Sequence, residues 1–478
     1  MDVVHVASEM MPFSKTGGLA DVAAALPAAQ ARLGAKVSVI TPLYHPDRVP
    51  ADRYSEFARP LSVTFAGREF TTRVLAGVEA SGVQVFHLDE PALFQRAGLY
   101  GENGIDYGDN HLRFAFLAHA ALELMRRTNL KPDVIHAHDW QAALVPLLLA
   151  TRYGRWVSSV QTIHNLGYQG VFPASALAEI GIPKSLFTPH GVEFYGQVNF
   201  LKAGLVSADR ITTVSPSYAE EIQTIALGHG LDGVLRERAD VLHGILNGLD
   251  VEVWDPASDP YLDATYDAED LQGKRRCRES LVKHFGLGSS ASERPLIGIV
   301  SRFVDQKGFR LVFDAMDELL ARDLCLVVLG SGDPRYEEAF WALAARNPER
   351  IGVHVGYDEG LAHRIEAGSD LFLMPSRYEP CGLNQLISMR YGTLPIVHST
   401  GGLKDSVRDS RQGDDATGFT FAPHTSVALL EAVDRALALL KNPRGLASMR
   451  YQAMTQELGW SRPAKKVLEL YTDLIENR

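Results

Sequence analysis

Three positively charged side chains occupy two glycine-containing loops, each of which follows a predicted β-strand. Lys15 precedes Gly17 and Gly18 between the first predicted strand and the first predicted helix, and Arg302 and Lys307 lie in a similar loop in the second half of the chain. Phosphates bind to doubly wound sheets at such loops, because helix N–H groups point at the ligand there. The three cations could clamp one diphosphate, although each singly is more often a solvated surface residue.

The first of these loops, Lys15-Thr16-Gly17-Gly18-Leu19, matches neither of the two common nucleotide-binding patterns. It is not G-x-G-x-x-G and not G-x-x-x-x-G-K-[ST], so nicotinamide cofactors and P-loop hydrolysis lose their main support in the sequence. The loop fits a phosphate or an anionic sugar nucleotide. Taken alone, it fits a tight turn with a solvated lysine equally well.

Histidines and an acid end two later strands of the same half. His136, His138 and Asp139 close one predicted strand, and His164 closes another. The two-residue period of a strand puts His136 and His138 on one side, and His164 should face the same cleft as Asp139. The H-x-H-D cluster could hold a metal, but no further cluster with ligand spacing accompanies it and the chain has no D-x-D, so we expect no metal. A backbone-satisfied core histidine is the alternative for His164.

A carboxylate in the second half occupies the corresponding position. Residues 375–385 follow a predicted strand and open a helix, and Glu379 lies where a polar ligand would be held by the N–H groups that follow it. The position eight residues on is Ile387, so the segment lacks the paired carboxylates of glycosidases. Cys381 as a nucleophile has no accompanying thiol-protease signature.

The elements that must position these groups alternate along the whole chain. Short β-branched runs separated by helical patterns predict βαβ units and parallel sheets in two lobes. Strands are predicted at 3–6, 37–40, 83–88, 133–136, 157–163 and 210–214, and then at 296–300, 324–329, 351–355, 371–374 and 394–397. An amphipathic helix is predicted at 461–478. We therefore expect lobes at 1–248 and 249–460, with the last helix packing on the first lobe. Thr16 to Asp21 is echoed by Thr400 to Asp405, which suggests two related halves.

Composition limits the class of protein. The chain has 478 residues, enough for two or three domains. Its net charge of −11 disfavours nucleic acid and anionic membranes as partners, since both require a positive field. Three cysteines without a C-x-x-C pair predict a reducing, cytoplasmic location. The N-terminus has no cationic segment before Lys15, so we expect no export signal.

The motifs together resemble those of the bacterial glycogen synthases and plant starch synthases, retaining glucosyltransferases of the GT-B fold. The resemblance covers nearly the whole chain. The matching segments are Val6-Ala7-Ser8-Glu9, Lys15 to Val22, His138-Asp139-Trp140, Thr162-Ile163-His164-Asn165, Thr213-Val214-Ser215, Asn247-Gly248, Arg302 to Gly308, Gly330-Ser331-Gly332-Asp333, Pro375 to Gln385, Tyr391-Gly392-Thr393 and Thr400 to Leu403 with Asp405.

This resemblance implies two Rossmann-like lobes with a cleft between them and a role for each motif residue. Lys15, Arg302 and Lys307 would bind the donor phosphates, His164 and Asp139 would lie at the transferred glucose, and Glu379 would hold sugar hydroxyls. Asn247 is implied near the glucose and Tyr357 near the nucleobase. The implied catalytic residues are Asp139, His164, Arg302, Lys307 and Glu379, and the implied substrate-binding residues are Lys15, Gly17, Gly18, Asp21, Asn247, Tyr357, Cys381, Gly382 and Asn384.

The implied reaction is transfer of glucose from ADP-glucose to the non-reducing end of an α-1,4-glucan such as glycogen, with retention at the anomeric carbon and without a metal or cofactor. Asn384 replaces the usual threonine of the family motif, and Lys404 stands where alanine is common. Asn384 still offers hydrogen bonds, so we expect it to affect donor affinity rather than activity. Two alternatives are a GT-B transferase of the sucrose or trehalose type and a catalytically silent glycan-binding protein.

Overall fold

The computed structural model describes residues 1–57, 60–102, 104–128 and 130–477. The chain forms two compact units. Residues Met1–Gly248 and the C-terminal residues from Trp460 onward make the first unit, and Leu249–Gly459 makes the second. Among the described residues, no helix is both long enough and apolar enough to cross a membrane.

The first unit is built on a ten-stranded sheet with helices on its faces. Its strands, including those of two small sheets, are β1 (Asp2–Val6), β2 (Lys36–Pro42), β3 (Tyr54–Glu56), β4 (Leu61–Phe65), β5 (Arg68–Val78), β6 (Gln84–Asp89), β7 (Gly101–Glu102), β8 (Ile105–Asp106), β9 (Val134–His138), β10 (Ser158–Ile163), β11 (Val171–Pro173), β12 (Glu193–Phe194), β13 (Gln197–Asn199), β14 (Arg210–Thr213) and β15 (Leu242–Gly244). Its helices before the chain leaves this unit are α1 (Gly18–Arg32), α2 (Pro91–Phe94), α3 (Asn110–Thr128), α4 (Asp139–Ala142), α5 (Leu144–Thr151), α6 (Ala176–Ile180), α7 (Phe200–Ser207), α8 (Pro216–Glu221) and α9 (Asp232–Glu237).

The strand order of the large sheet is β15-β14-β10-β9-β1-β2-β6-β5-β3, with β4 paired to β5. The strands from β15 to β6 are parallel, whereas β5 and β3 run antiparallel at one edge. Strand β1 is central and its valines are buried, as expected for a parallel sheet covered by helices on both faces. The chain order reverses direction between β1 and β9, which makes that gap the switch point of the sheet.

The second unit is a smaller α/β unit with a six-stranded parallel sheet in the order β18-β17-β16-β19-β20-β21. Its strands are β16 (Leu296–Val300), β17 (Cys325–Gly330), β18 (Ile351–Val355), β19 (Leu371–Met374), β20 (Leu394–His398) and β21 (Phe419–Phe421). Its helices are α10 (Gln272–His284), α11 (Phe309–Asp314), α12 (Met316–Leu320), α13 (Pro334–Arg346), α14 (Glu359–Gly368), α15 (Asn384–Arg390), α16 (Gly401–Ser406), α17 (Ser426–Leu440) and α18 (Pro443–Met454). The switch point lies between β16 and β19.

The C-terminal helix α19 (Ser461–Glu476) belongs to the first unit. Its apolar side, with Val467 and Leu470, packs on Val22 and Leu26 of α1. The last residue of the predicted helix, Arg478, lies outside the described residues.

The parallel α/β class predicted from the sequence is confirmed for both units, and the differences lie in the additions. The antiparallel edge β3–β5 and the small sheet β11–β13 were not predicted, because their strands are short or partly exposed and carry many polar residues. The echo between Thr16 and Thr400 does not mark equivalent positions. Thr16 follows the first strand of its sheet, whereas Thr400 follows β20, the fifth strand of the other.

Candidate active site

Five of the predicted site residues lie beyond the carboxyl ends of the strands at the two switch points, where open α/β sheets bind ligands. In the first unit, Lys15 is in the segment between β1 and α1, and Asp139 directly follows β9. In the second unit, Arg302 and Lys307 follow β16, and Glu379 follows β19. Each unit therefore brings its own predicted groups to one place in its sheet.

A buried carboxylate holds the Lys15 loop in place. Glu9 accepts hydrogen bonds from the backbone N–H of Thr16 at 2.5 Å and from the Thr16 hydroxyl at 2.7 Å, and the Tyr100 hydroxyl donates to the same carboxylate. Burial raises the pKa of Glu9, although these hydrogen bonds oppose the rise. Lys15 Nζ lies 2.7 Å from Asp21 of α1, so the lysine is tied to the helix that follows.

The two glycines of this loop form the start of α1. Gly17 precedes the helix in an extended conformation and Gly18 is its first residue. A Cβ on Gly17 would meet nothing within 4 Å, so the space beside this backbone is open. The first N–H groups of a helix have no partner within the helix and favour an anion. The loop thus places a cation and the start of a helix beside open space.

Asp139 and His164 are linked through the backbone. Asp139 Oδ1 accepts a hydrogen bond from the backbone N–H of His164 at 2.7 Å, and a second comes from the N–H of Asn165. Asp139 has φ of +53°, a region in which Asp and Asn are tolerated better than most residues. Burial raises the pKa of Asp139 to about 7 and lowers the pKa of His164 to about 3. His164 is therefore a neutral imidazole at physiological pH. It lines the same cavity as Asn247, another predicted sugar-binding residue.

The predicted strand-end histidines are packed behind His164. The rings of His136 and His138 stack with their centroids 4.3 Å apart, and His5 of β1 joins them. One nitrogen from each of His5, His136 and His138 lies within 4.8 Å of the others, which is close enough for a metal by distance. Every ring nitrogen of the three is already within hydrogen-bonding distance of another side chain. A metal would have to break those bonds, so the arrangement fits a hydrogen-bond network better than a metal site.

In the second unit, Lys307 and Glu379 form a close ion pair. Lys307 Nζ lies 2.5 Å from Glu379 Oε2, and the Ser376 hydroxyl donates to the same oxygen at 2.9 Å. The two loops approach closely because residue 308 is glycine. Gly308 has φ of +73°, and a Cβ there would lie 2.0 Å from the carbonyl oxygen of Pro375.

The segment after Glu379 is held by the start of α16. The carbonyl of Glu379 accepts a hydrogen bond from the N–H of Gly402 at 3.0 Å, and a Cβ on Gly401 would lie 2.1 Å from that carbonyl oxygen. Cys381 is buried and Gly382 has φ of +73°. The predicted contribution of these two residues is their backbone, and the structure fixes that backbone against the neighbouring loop.

Three further predicted residues have distinct environments. Arg302 is exposed and has no ion pair among the described parts of the chain. Tyr357 follows β18 with 77% of its surface exposed, and its hydroxyl donates to Glu359 at 3.1 Å. Asn384 Nδ2 donates to the carbonyl of Val300 at 2.8 Å, so one N–H of the amide at this departure from the family motif is used within the fold.

Sequence reasoning missed several supporting residues. Glu9 had a detectable signal, since it is an acid in an otherwise apolar stretch just beyond β1. Ser376 lies within the predicted motif, but nothing in the sequence showed its bond to Glu379. Gln30 and Tyr471, which contact the histidine cluster, are 441 positions apart and offered no signal.

Comparison with known proteins gives the same picture along the whole chain. The family model described as the starch synthase catalytic domain matches residues 2–237, and the model described as glycosyl transferases group 1 matches residues 286–453. The chain is similar to proteins named glycogen synthase from Myxococcus xanthus, at 47% identity over 99% of this chain and 100% of that protein, and from Anaeromyxobacter sp. (strain Fw109-5), at 48% identity over 99% of both.

A solved structure is similar to the same extent. The catalytic domain of starch synthase IV from Arabidopsis thaliana, bound to ADP and acarbose, is 36% identical, superimposes with a TM-score of 0.92 and covers 99% of both chains. Two α/β units with these sheet orders, the predicted groups at both switch points and matches of this length establish a glycosyltransferase of the two-lobe GT-B fold. The chain belongs to the family of bacterial glycogen synthases and starch synthases.

Proposed function

We propose that this enzyme transfers glucose from ADP-glucose to the non-reducing end of an α-1,4-glucan, elongating glycogen with retention at the anomeric carbon. The observation that carries the proposal is the placement of cations. Lys15 lies at the switch point of one sheet, and Arg302 and Lys307 lie at that of the other, in a chain with a net charge of −11. Cations at the ligand-binding edge of a sheet suit a nucleoside diphosphate sugar, because its phosphates are negatively charged.

The proposed catalysis is electrostatic. Negative charge develops on the diphosphate as its bond to glucose breaks, and fixed cations lower the energy of that state without reorganising. Lys307 is held in place by Glu379, and Lys15 by Asp21, so both are positioned before the donor binds. The acceptor hydroxyl attacks on the face from which the diphosphate leaves, and a phosphate oxygen takes its proton.

Two residues, His164 and Glu379, are proposed to face the transferred glucose. The low pKa of His164 makes it a neutral hydrogen-bonding group rather than a general acid. Glu379 is engaged by Lys307 and Ser376, which suits a group that holds hydroxyls and not a free nucleophile. We assign both residues to binding the transferred glucose.

Metal independence is part of the same proposal. Cations of the protein would neutralise the diphosphate, and the histidine cluster uses its ring nitrogens for hydrogen bonds. A cytoplasmic location also belongs to the proposal, supported by three free, buried cysteines. We expect activity to be unchanged by EDTA, and loss of activity that Mg²⁺ or Mn²⁺ restores would contradict this part.

The test is release of nucleoside diphosphate during incubation with glycogen and either ADP-glucose or UDP-glucose. We expect kcat/KM to be at least about tenfold higher with ADP-glucose, a difference of ~1.4 kcal/mol. Equal efficiency with both donors would contradict the donor assignment. Chain elongation of the glucan, followed by mass spectrometry of maltooligosaccharide acceptors, separates transfer from hydrolysis and excludes a silent glycan-binding protein.

A matched pair of variants ties the activity to the assigned site. Arg302 and Arg310 are both exposed arginines near the start of α11. Arg302→Ala should lose activity, whereas Arg310→Ala should retain it, because only Arg302 lies in the loop that follows β16. Equal effects of the two changes would show that general surface charge, and not this site, supports transfer.

A further inference from the structure

A line of side-chain hydrogen bonds runs behind His164 through the interior of the first unit. His164 Nε2 lies 3.0 Å from His138 Nδ1, and His138 Nε2 lies 2.9 Å from His5 Nδ1. His5 Nε2 lies 2.8 Å from Gln30 Oε1 on α1. His138, His5 and Gln30 are fully buried. The contacts therefore link α1 to the candidate sugar-binding residue without passing through solvent.

The amide of Gln30 determines which atoms donate and which accept along this line of hydrogen bonds. Its Oε1 contacts His5, while its Nε2 donates to the Tyr471 hydroxyl at 3.4 Å. An amide oxygen carries no proton and can only accept, so His5 must donate from Nε2. The Tyr471 hydroxyl then has its own proton free for His136 Nδ1, 2.5 Å away. Burial raises the pKa of Tyr471, which keeps that proton on the hydroxyl.

Because each imidazole in this line is neutral, the nitrogen that donates in one ring determines the nitrogen that donates in the next. Burial lowers the pKa of His5 to about 4 and the pKa of His138 well below its usual value, and His164 is neutral as described above. A neutral ring has one N–H and one acceptor nitrogen. His5 donates from Nε2, so it accepts at Nδ1 from His138. His138 in turn accepts at its own Nδ1 from His164 Nε2.

We propose that Gln30, acting through His5 and His138, holds His164 in the tautomer protonated at Nε2, so that His164 Nδ1 accepts a hydrogen bond from a hydroxyl of the donor sugar. Gln30, His5 and His138 are positioning residues, since none is assigned to the substrate. The opposite tautomer of His164 would present an N–H to the same hydroxyl. The hydroxyl proton would then lose His164 as its acceptor, and a polar group that loses its partner costs binding energy.

The tautomer is measurable without any substrate. Protein labelled with ¹⁵N-histidine gives separate signals for protonated and unprotonated ring nitrogens, and loss of a signal in His164→Asn identifies that residue. We expect the wild-type His164 signal to show Nε2 protonated and Nδ1 unprotonated. A protonated Nδ1 on His164 would overturn the proposal, whatever the activity.

Two substitutions of Gln30 separate this role from packing. Gln30→Glu keeps an oxygen acceptor for His5 and should preserve the tautomer and most of the turnover. Gln30→Met keeps the length but removes the acceptor, so we expect mixed tautomers at His164 and a loss of kcat of roughly ten- to hundredfold. A role in packing alone predicts the reverse order, because a buried apolar side chain is tolerated better than a buried charge. That reverse order would overturn the proposal.

Gln141→Met is the matched control. Gln141 is a buried glutamine of the same unit whose Oε1 has no partner among the described residues. Its substitution should leave the His164 tautomer unchanged, and a changed tautomer would show that loss of any buried amide suffices. Melting temperatures report whether each variant folds. If Gln30→Met does not fold, the wild-type spectrum still tests the tautomer of His164.

The role for the sugar hydroxyl rests on the proposed function, whereas the tautomer does not. A wild-type enzyme that transfers no glucose from any nucleotide sugar would contradict the proposed function and leave the spectrum to test the tautomer. An active enzyme whose His164 is protonated at Nδ1 would retain the function and refute the tautomer. The two failures are therefore distinguishable.

Discussion

Removal of Lys307 and removal of Arg302 should damage activity alike but stability very differently. Lys307 pairs with Glu379, whose side chain is only 7% exposed, while Arg302 is exposed and has no ion pair within the described residues. Each variant removes one fixed charge from the proposed phosphate site. We expect Lys307→Ala and Arg302→Ala each to raise the activation free energy by about 3–4 kcal/mol. Turnover should therefore fall by roughly two to three orders of magnitude.

The stability difference follows from what each substitution leaves behind. Breaking a fully buried ion pair costs about 3–5 kcal/mol, because a charge stays buried without its partner. The side chain of Lys307 is 19% exposed, so some water can reach the gap, and we expect a loss of about 2–3 kcal/mol for Lys307→Ala. Arg302→Ala should change the free energy of unfolding by less than about 0.5 kcal/mol.

A double variant isolates the cause. Lys307→Ala combined with Glu379→Gln removes the unpaired charge and should recover most of the lost stability, yet it should not recover turnover. Calorimetric melting reports stability, with about 2–4 °C expected per kcal/mol for a unit of this size, and release of ADP at saturating donor reports turnover. If Lys307→Ala melts at the same temperature as the wild type, its ion pair with Glu379 does not stabilise the fold. If the double variant regains turnover, Lys307 is not part of the phosphate site.

Two further predictions concern the carboxylates. The folded-state pKa of Asp139, about 7, lies above its unfolded value near 4, so the stability associated with its protonated form is fully present below about pH 4 and is lost as the pH rises through about 7. Asp139→Asn should therefore gain up to about 4 kcal/mol relative to wild type between pH 4 and 8, measured as the difference in melting temperature, and a difference independent of pH would contradict the assignment. Glu379→Gln should keep measurable turnover, because an amide oxygen still accepts a hydrogen bond, whereas Glu379→Ala should lose far more. Mass spectrometry of donor-treated enzyme should show no glucosyl adduct, and an adduct on Glu379 would refute its role in holding hydroxyls.

The sequence predicts where the candidate site lies because that position follows from topology. A strand, a glycine-containing loop and a helix recur around Lys15 and Lys307, and the carboxyl ends of strands in parallel sheets share one edge. The period of a strand also placed His136 and His138 on one side, and the structure stacks their rings. Such inferences need only the order and spacing of elements.

The hydrogen bonds between side chains around the site could not be predicted in the same way. The bond of Glu9 to the Thr16 loop depends on how the chain leaves β1, and the contact of Gln30 with Tyr471 depends on where α19 packs. Neither spacing nor composition encodes such geometry. The small sheet β11–β13 was missed for a related reason, since its strands are two or three residues long and carry no period.

The pairing of Lys307 with Glu379 bears on how binding energy becomes catalysis. A lysine that already has a carboxylate partner gains little when a donor phosphate binds in the ground state, because the phosphate must share that cation. On the proposed function, the diphosphate gains charge as the sugar bond breaks and would attract Lys307 more strongly than before. Glu379 would then be freer to accept hydroxyls of a sugar that is becoming positively charged. On the proposed function, one ion pair therefore weakens ground-state binding and strengthens two interactions in the transition state, which is the difference that raises kcat.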